Sequence, residues 1–86
     1  MIILLHRNFE KKFVKLHPKL KERVRERRDL FSQNPFHPLL NNHPLGGNRR
    51  EQRSINVTGD WRLIYEPINP DTVVFLDIDT HANLYR

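Results

Sequence analysis

The stretch QRSINVTGDWRLIYEPINPDTVVFLDID, residues 52–79, decides the fold. Its first piece alternates: Arg53, Ile55 and Val57 fall on one face, Ser54 and Asn56 on the other. Thr58-Gly59-Asp60 reads as a tight turn, with Gly59 able to take a positive φ. WRLIYE alternates again and sets Trp61, Leu63 and Tyr65 opposite Arg62, Ile64 and Glu66. PINPD is a second turn. TVVFLDID is the last strand, and its apolar run Val73–Leu76 predicts a central place in the sheet.

Upstream, IILLH (residues 2–6) reads as a short strand that stops at Arg7-Asn8, with Asn8 as helix N-cap. Phe9, Phe13 and Leu16 then recur at helical spacing, with Lys11, Lys12 and Lys15 on the other side. His17-Pro18 interrupts this helix, because a residue before proline avoids the α region. A second helix runs from about Pro18 to Gln33, since proline is tolerated in a first turn. Its stripe is Leu20, Val24, Leu30 and Phe31, surrounded by Lys19, Lys21, Arg23, Arg25, Arg27 and Arg28. Residues 34–51 read as a long connection pinned by Phe36, Leu39 and Leu45, and loops of this length are often functional. THANLYR closes the chain as a loop or single helical turn. The order is β-α-α-β-β-β. That is an α+β domain with an N-terminal helical hairpin on one face of a mainly antiparallel sheet.

With 86 residues the chain makes one domain, residues 1–86. A domain this small buries only about 60–65% of its unfolded surface, so a site would be a surface groove. The absence of cysteine excludes a disulfide scaffold and any cysteine zinc site. The opening MIILL is too short for a signal-peptide core, and no run is long enough to span a bilayer, so a cytoplasmic protein is expected. The formal net charge of +5 favours an anionic partner, nucleic acid being the commonest.

Metal and nucleotide chemistry find no motif. His6, His17, His37, His43 and His81 include no HExxH pattern, and GxxxxGK[ST] and GxSxG are absent. No metal and no cofactor are expected. If the helices cover one face, the other can carry a groove with Arg62, His81, Tyr85 and His43, near Ser54 and Asn56. Arg49, Arg50 and Arg53 stand close by in sequence as substrate-binding candidates. Such a set suits cleavage of RNA. A ribose 2′-OH attacks the adjacent phosphate, and histidine, with a reference pKa of about 6.5, can serve as base or acid. Arginine stabilises the charge that builds on the phosphoryl oxygens, and an aromatic ring stacks a splayed base. Structural readings stand beside this one: Trp61 could be core, Asp60 a turn residue, and Arg62 an ion-pair partner of Glu66 or Asp77.

Three blocks, HPLGG, RSINVTGDWRLIYE and VVFLDIDTHANLY, make nearly the whole chain resemble the RelE/ParE superfamily of bacterial toxin–antitoxin systems. The resemblance is to the RelE-type and YafQ-like mRNA interferases in particular. It implies a RelE-like toxin domain that cuts messenger RNA on the ribosome without metal, inhibits translation, and is silenced by a cognate antitoxin protein. By this resemblance Arg62, in the RLxY motif, would stabilise the transition state, and His81, in the TH motif, would be general acid or base. Tyr85 would orient or stack on substrate, and His43 matches the loop histidine of the HPL motif. Asp60 and Trp61 match a DW pair and would bind substrate. Two positions depart: Asn56 stands where that branch can carry a histidine, and Asp77 where it can carry a basic residue. ParE-type relatives share the fold and inhibit gyrase, and a decayed basic binding module is a further alternative.

Overall fold

The structure, a computed structural model, describes residues 1–85. Strand β1 (Ile2–Leu5) leads into α1 (Arg7–Val14) and α2 (Pro18–Gln33). Then come β2 (His43–Pro44), β3 (Arg53–Asn56), β4 (Trp61–Asn69), β5 (Thr72–Thr80) and the single turn α3 (His81–Leu84). The sheet order is β1-β5-β4-β3-β2. β1 runs parallel to β5, an interior strand next to the central β4, and every other pairing is antiparallel. No helix is long and apolar enough to cross a membrane among the described residues.

The helical hairpin covers one sheet face. Phe31 lies edge-on to Tyr65 at 4.7 Å and tilts against Phe75 at 5.9 Å, and Phe9 meets Phe75 at 5.5 Å. Ile55, Val57 and Leu63, from the faces that alternation assigned inward, complete this core together with Ile78. Phe75 and Ile78 both face it although they are three residues apart. A bulge explains this: Tyr65 pairs with Phe75 but Ile64 pairs with Asp77, so Leu76 is the extra residue. The slip puts Asp77 on the uncovered face, where Asp79 also lies.

Several local expectations change. The cap of α1 is His6, whose Nδ1 accepts the Asn8 N–H at 3.0 Å, while Asn8 itself donates to the Leu76 carbonyl. His17 and His37 cap the next two helical segments in the same way, through Nδ1 to Lys19 N–H and Leu39 N–H. Gly59 takes no positive φ. The Thr58 hydroxyl accepts the Asp60 and Trp61 N–H groups and closes that turn instead, and the left-handed glycine is Gly47 at φ 62°. The 34–51 connection is pinned by Leu40 and Leu45, whereas Phe36 and Leu39 are exposed. It also contributes the short strand β2, which no apolar alternation announces.

Candidate active site

The uncovered face is organised by strand register, because residues directly across a strand pair share a face. One row is His43–Ser54–Ile64–Asp77. The next is Asn56–Arg62–Asp79. Leu45, Ile64, Leu76 and Leu84 form a small apolar patch on this side. Beside it runs a groove of about 330 Å³ with Ile64, Leu76 and Asp77 in its floor and His6, Asn8, Arg49 and Gln52 around it.

Arg62 is half-buried. Its Nη1 donates to the carbonyls of Thr58, Gly59 and Trp61 at 3.0, 3.3 and 3.1 Å, so the guanidinium leans toward the β3–β4 turn. That turn also receives α3: the His81 N–H donates to the Asp60 carbonyl at 2.8 Å. The Thr80 hydroxyl caps α3 by accepting the Asn83 N–H, and Leu84 anchors it in the apolar patch. Arg49 Nη1 donates to the Leu84 carbonyl at 3.4 Å, which ties the 3-10 turn Gly47–Arg49 to the same end. His81 and Tyr85, one turn apart, place their rings 4.6 Å from each other, both exposed. His81 follows Asp79, the register partner of Arg62, by two residues. Sheet dimensions then put the Arg62 and His81 Cα atoms about 8 Å apart.

His43 occupies the neighbouring row. Its Nδ1 lies 2.8 Å from the Asn41 carbonyl, an acceptor only, so Nδ1 carries a hydrogen and, in the neutral ring, the lone pair is on Nε2. Two strand spacings and two residues separate its Cα from that of Arg62, about 12 Å by sheet dimensions. Two buried oxygens on this face, Ser54 Oγ and Asn56 Oδ1, have no hydrogen-bond partner among the described residues.

The acidic side is β5. Lys12 Nζ bridges Asp77 Oδ1 at 2.8 Å and Asp79 Oδ2 at 3.0 Å. Asp79 Oδ1 accepts Asn83 Nδ2 and the Thr80 N–H, both at 2.8 Å. Burial pushes the Asp79 carboxyl up, but the bonds from Asn83, Lys12 and Thr80, with the Lys12 charge, outweigh it and hold it below the usual carboxylate range. Burial likewise pulls Lys12 down, and the two carboxylates outweigh it and raise it above the usual lysine value.

The structure therefore brings Arg62, His81, Tyr85 and Arg49 to one end of the open face, with Asp60 joining through its carbonyl and His43 one row away. It does not bring Trp61 or Arg53 there. Trp61 packs toward the helices, beside Leu16, His17 and Leu20. Arg53 donates to Asn42 at 2.8 Å and stacks over Phe36 on the helix side. Arg50 is exposed just after the 3-10 turn. Sequence reasoning missed His6, Asn8 and Gln52 as neighbours of the groove, and Lys12 as the partner of its Asp77. Only the odd Phe75-to-Ile78 spacing hinted that β5 turns both aspartates outward. Among the described residues no group of three or more His, Cys, Asp or Glu is gathered as metal ligands.

Of the five histidines, His6, His17 and His37 cap helical segments, His6 also bordering the groove, while His43 and His81 cap none of these helices and lie on or beside this face. The fold has counterparts. The chain overlays on YafQ from E. coli strain BL21(DE3) with a TM-score of 0.78 at 27% identity, covering 98% of this chain and 97% of that one. The E. coli DinJ–YafQ toxin–antitoxin complex gives 0.77 at 27% identity, over 98% and 96%. A YoeB/ParE toxin from Agrobacterium tumefaciens shares the fold at a TM-score of 0.79 and 15% identity, over 94% and 99%. No curated protein sequence matches significantly. The family model described as bacterial toxin of type II toxin–antitoxin system, YafQ, matches residues 3–86. On that match, which spans both histidines and every strand from β2 to β5, the chain belongs to the YafQ family of type II toxin–antitoxin toxins.

Proposed function

We propose that this toxin is an endoribonuclease that cleaves mRNA on the ribosome in the cytoplasm. The observation that carries the reading is the convergence of Arg62 and His81 at one end of an uncovered sheet face. In the proposed reaction, His43 Nε2 takes the proton of a ribose 2′-OH, whose oxygen attacks the adjacent phosphorus. The bond from phosphorus to the 5′-oxygen breaks, and His81 delivers a proton to that oxygen. Products are a 2′,3′-cyclic phosphate and a free 5′-OH. Arg62 turns from the carbonyls of its turn toward the phosphoryl oxygens, where charge builds in the transition state. Tyr85 stacks on a neighbouring base, and Arg49 and Arg50 meet flanking phosphates. The unpartnered Asn56 Oδ1 is an acceptor beside Arg62. It can orient a hydroxyl but cannot carry its proton away.

The test is cleavage of a defined mRNA, with and without ribosomes and in the presence of EDTA, by wild type and His81→Ala. The expected result is cyclic-phosphate ends that fall roughly 10²- to 10⁴-fold in the variant. Intact RNA under all conditions would sink the reading. Asn56 and Asp77 favour a second one, a toxin that acts without cleavage, as a gyrase inhibitor would; there, supercoiling by gyrase stops while RNA stays whole.

A cognate antitoxin is the proposed protein partner. The E. coli relative is seen with one, and here the free edge of β1 exposes Ile2, Leu4 and Leu5 next to a groove rimmed by Arg25 and Arg28. An acidic segment that orders on binding fits this surface. Binding that shows no weakening between low and high salt would argue against such electrostatic capture.

A further inference from the structure

Resting on the nuclease reading above, we infer that Lys12 is a positioning residue of the reaction: it holds Asp79 and Asp77 so that Arg62 stays available to a phosphate. Opposite charges directly across a strand pair ordinarily meet. Arg62 and Asp79 are such a pair, yet Asp79 bonds to Lys12, Asn83 and Thr80, and the Arg62 Nη1 bonds to turn carbonyls.

The fold explains how a lysine from α1 reaches β5. β1 stops at Leu5, opposite Phe75, so the part of β5 beyond it has no strand neighbour on that edge. α1 fills the gap, fixed by His6 N–H to the Phe75 carbonyl at 2.9 Å and by Asn8 to the Leu76 carbonyl. One further turn along α1 brings the Lys12 ammonium between the two carboxylates. Asp79 in turn holds Asn83, in the same turn as His81. A line Lys12–Asp79–Asn83 thus runs from α1 to the segment that carries the proposed acid. Asp77 lies in the groove itself. Without Lys12, two uncompensated carboxylates would face an anionic substrate, and Asp79 would be free to capture Arg62.

The experiment compares wild type, Lys12→Met, Lys12→Arg and Lys12→Met/Asp79→Asn for RNA cleavage, with the Arg62 Nε–Hε resonance followed by NMR on each folded protein. Lys12→Met should lower kcat/KM roughly ten- to a hundredfold, the scale of a lost charge-assisted hydrogen bond. Lys12→Arg should retain most of the activity, and Asp79→Asn should restore most of it in the double variant. The Arg62 resonance should move in Lys12→Met and return in the double variant. Unchanged cleavage in Lys12→Met, a loss that Asp79→Asn does not repair, or a stationary Arg62 resonance overturns the inference. Wild type that leaves RNA intact while the Arg62 resonance moves and returns sinks the nuclease reading and keeps the role of Lys12 in holding Asp79 off Arg62.

Discussion

The two faces of one five-stranded sheet obey different rules. On the helix-covered face, Leu63, Phe75 and Ile55 are sealed under Phe31 and Val24, and the one phenol among them, Tyr65, receives a hydrogen bond from Asn42 at 2.7 Å. On the other face, among the described residues, Ser54 Oγ and Asn56 Oδ1 are buried without partners, Arg62 bonds to carbonyls, and two aspartates share one lysine. An unmade hydrogen bond on a buried group costs about 1–3 kcal/mol. A sheet optimised for stability alone would not carry such groups. The first face contributes the stability and the second uses part of it.

That division can be broken from either side. The largest effect on folding should come from Phe31→Ala. Phe31 is 1% exposed and touches two aromatic rings, so its loss should cost about 3–5 kcal/mol, much of the total for a domain this small. A denaturant midpoint within experimental error of wild type would contradict the packing described. Arg62→Ala should do the reverse. Cleavage should fall about a hundred- to a thousandfold, the scale of losing one preorganised donor to a transition-state oxyanion. The unfolding free energy should change by about 1 kcal/mol or less, since the bonds lost go to carbonyls in and beside a partly exposed turn. If Arg62→Ala unfolds the protein while leaving residual cleavage per folded molecule unchanged, then the guanidinium is a turn clamp and the faces do not divide as argued.

How much of this was legible before coordinates differs between the faces for a physical reason. The covered face advertises itself: Ile55, Val57, Leu63 and Tyr65 alternate with polar residues, and Leu20, Val24 and Phe31 recur at helical spacing. Alternation also placed Arg62, Ser54 and Asn56 on the open side correctly. It could not place Asp77, because one bulged residue at Leu76 reverses the parity of everything after it. Nor could it find Lys12, whose role depends on where β1 ends rather than on its own neighbours. The DW pair shows the limit of motif reading. Adjacent strand residues point to opposite faces, so Trp61 and Arg62 cannot both face the same groove, and the indole goes to the helices. The histidine caps were unreadable too, since imidazole is not among the side chains that ordinarily announce a helix start.

The smallest expected effect sharpens the comparison through pH. Asp79 sits below its ordinary 3.8 in the folded chain and Lys12 above its ordinary 10.5. A depressed carboxyl stabilises the fold above its unfolded value and loses that contribution as pH falls toward the lower folded one. A raised ammonium stabilises below its unfolded value and loses the contribution as pH climbs past it. The bridge therefore supports the fold between about pH 4 and pH 10 and fails at both ends. Side chains 37%, 22% and 21% exposed keep the effect modest, because solvent screens them. Asp79→Asn should flatten the loss of unfolding free energy as pH falls below about 4 relative to wild type. Phe31→Leu, a change confined to the apolar face, should lower the whole curve and keep its slope. Parallel acid limbs for wild type and Asp79→Asn would mean that the carboxylates of the open face are not coupled to folding. The Lys12 bridge would then be a surface contact with no hold on the site.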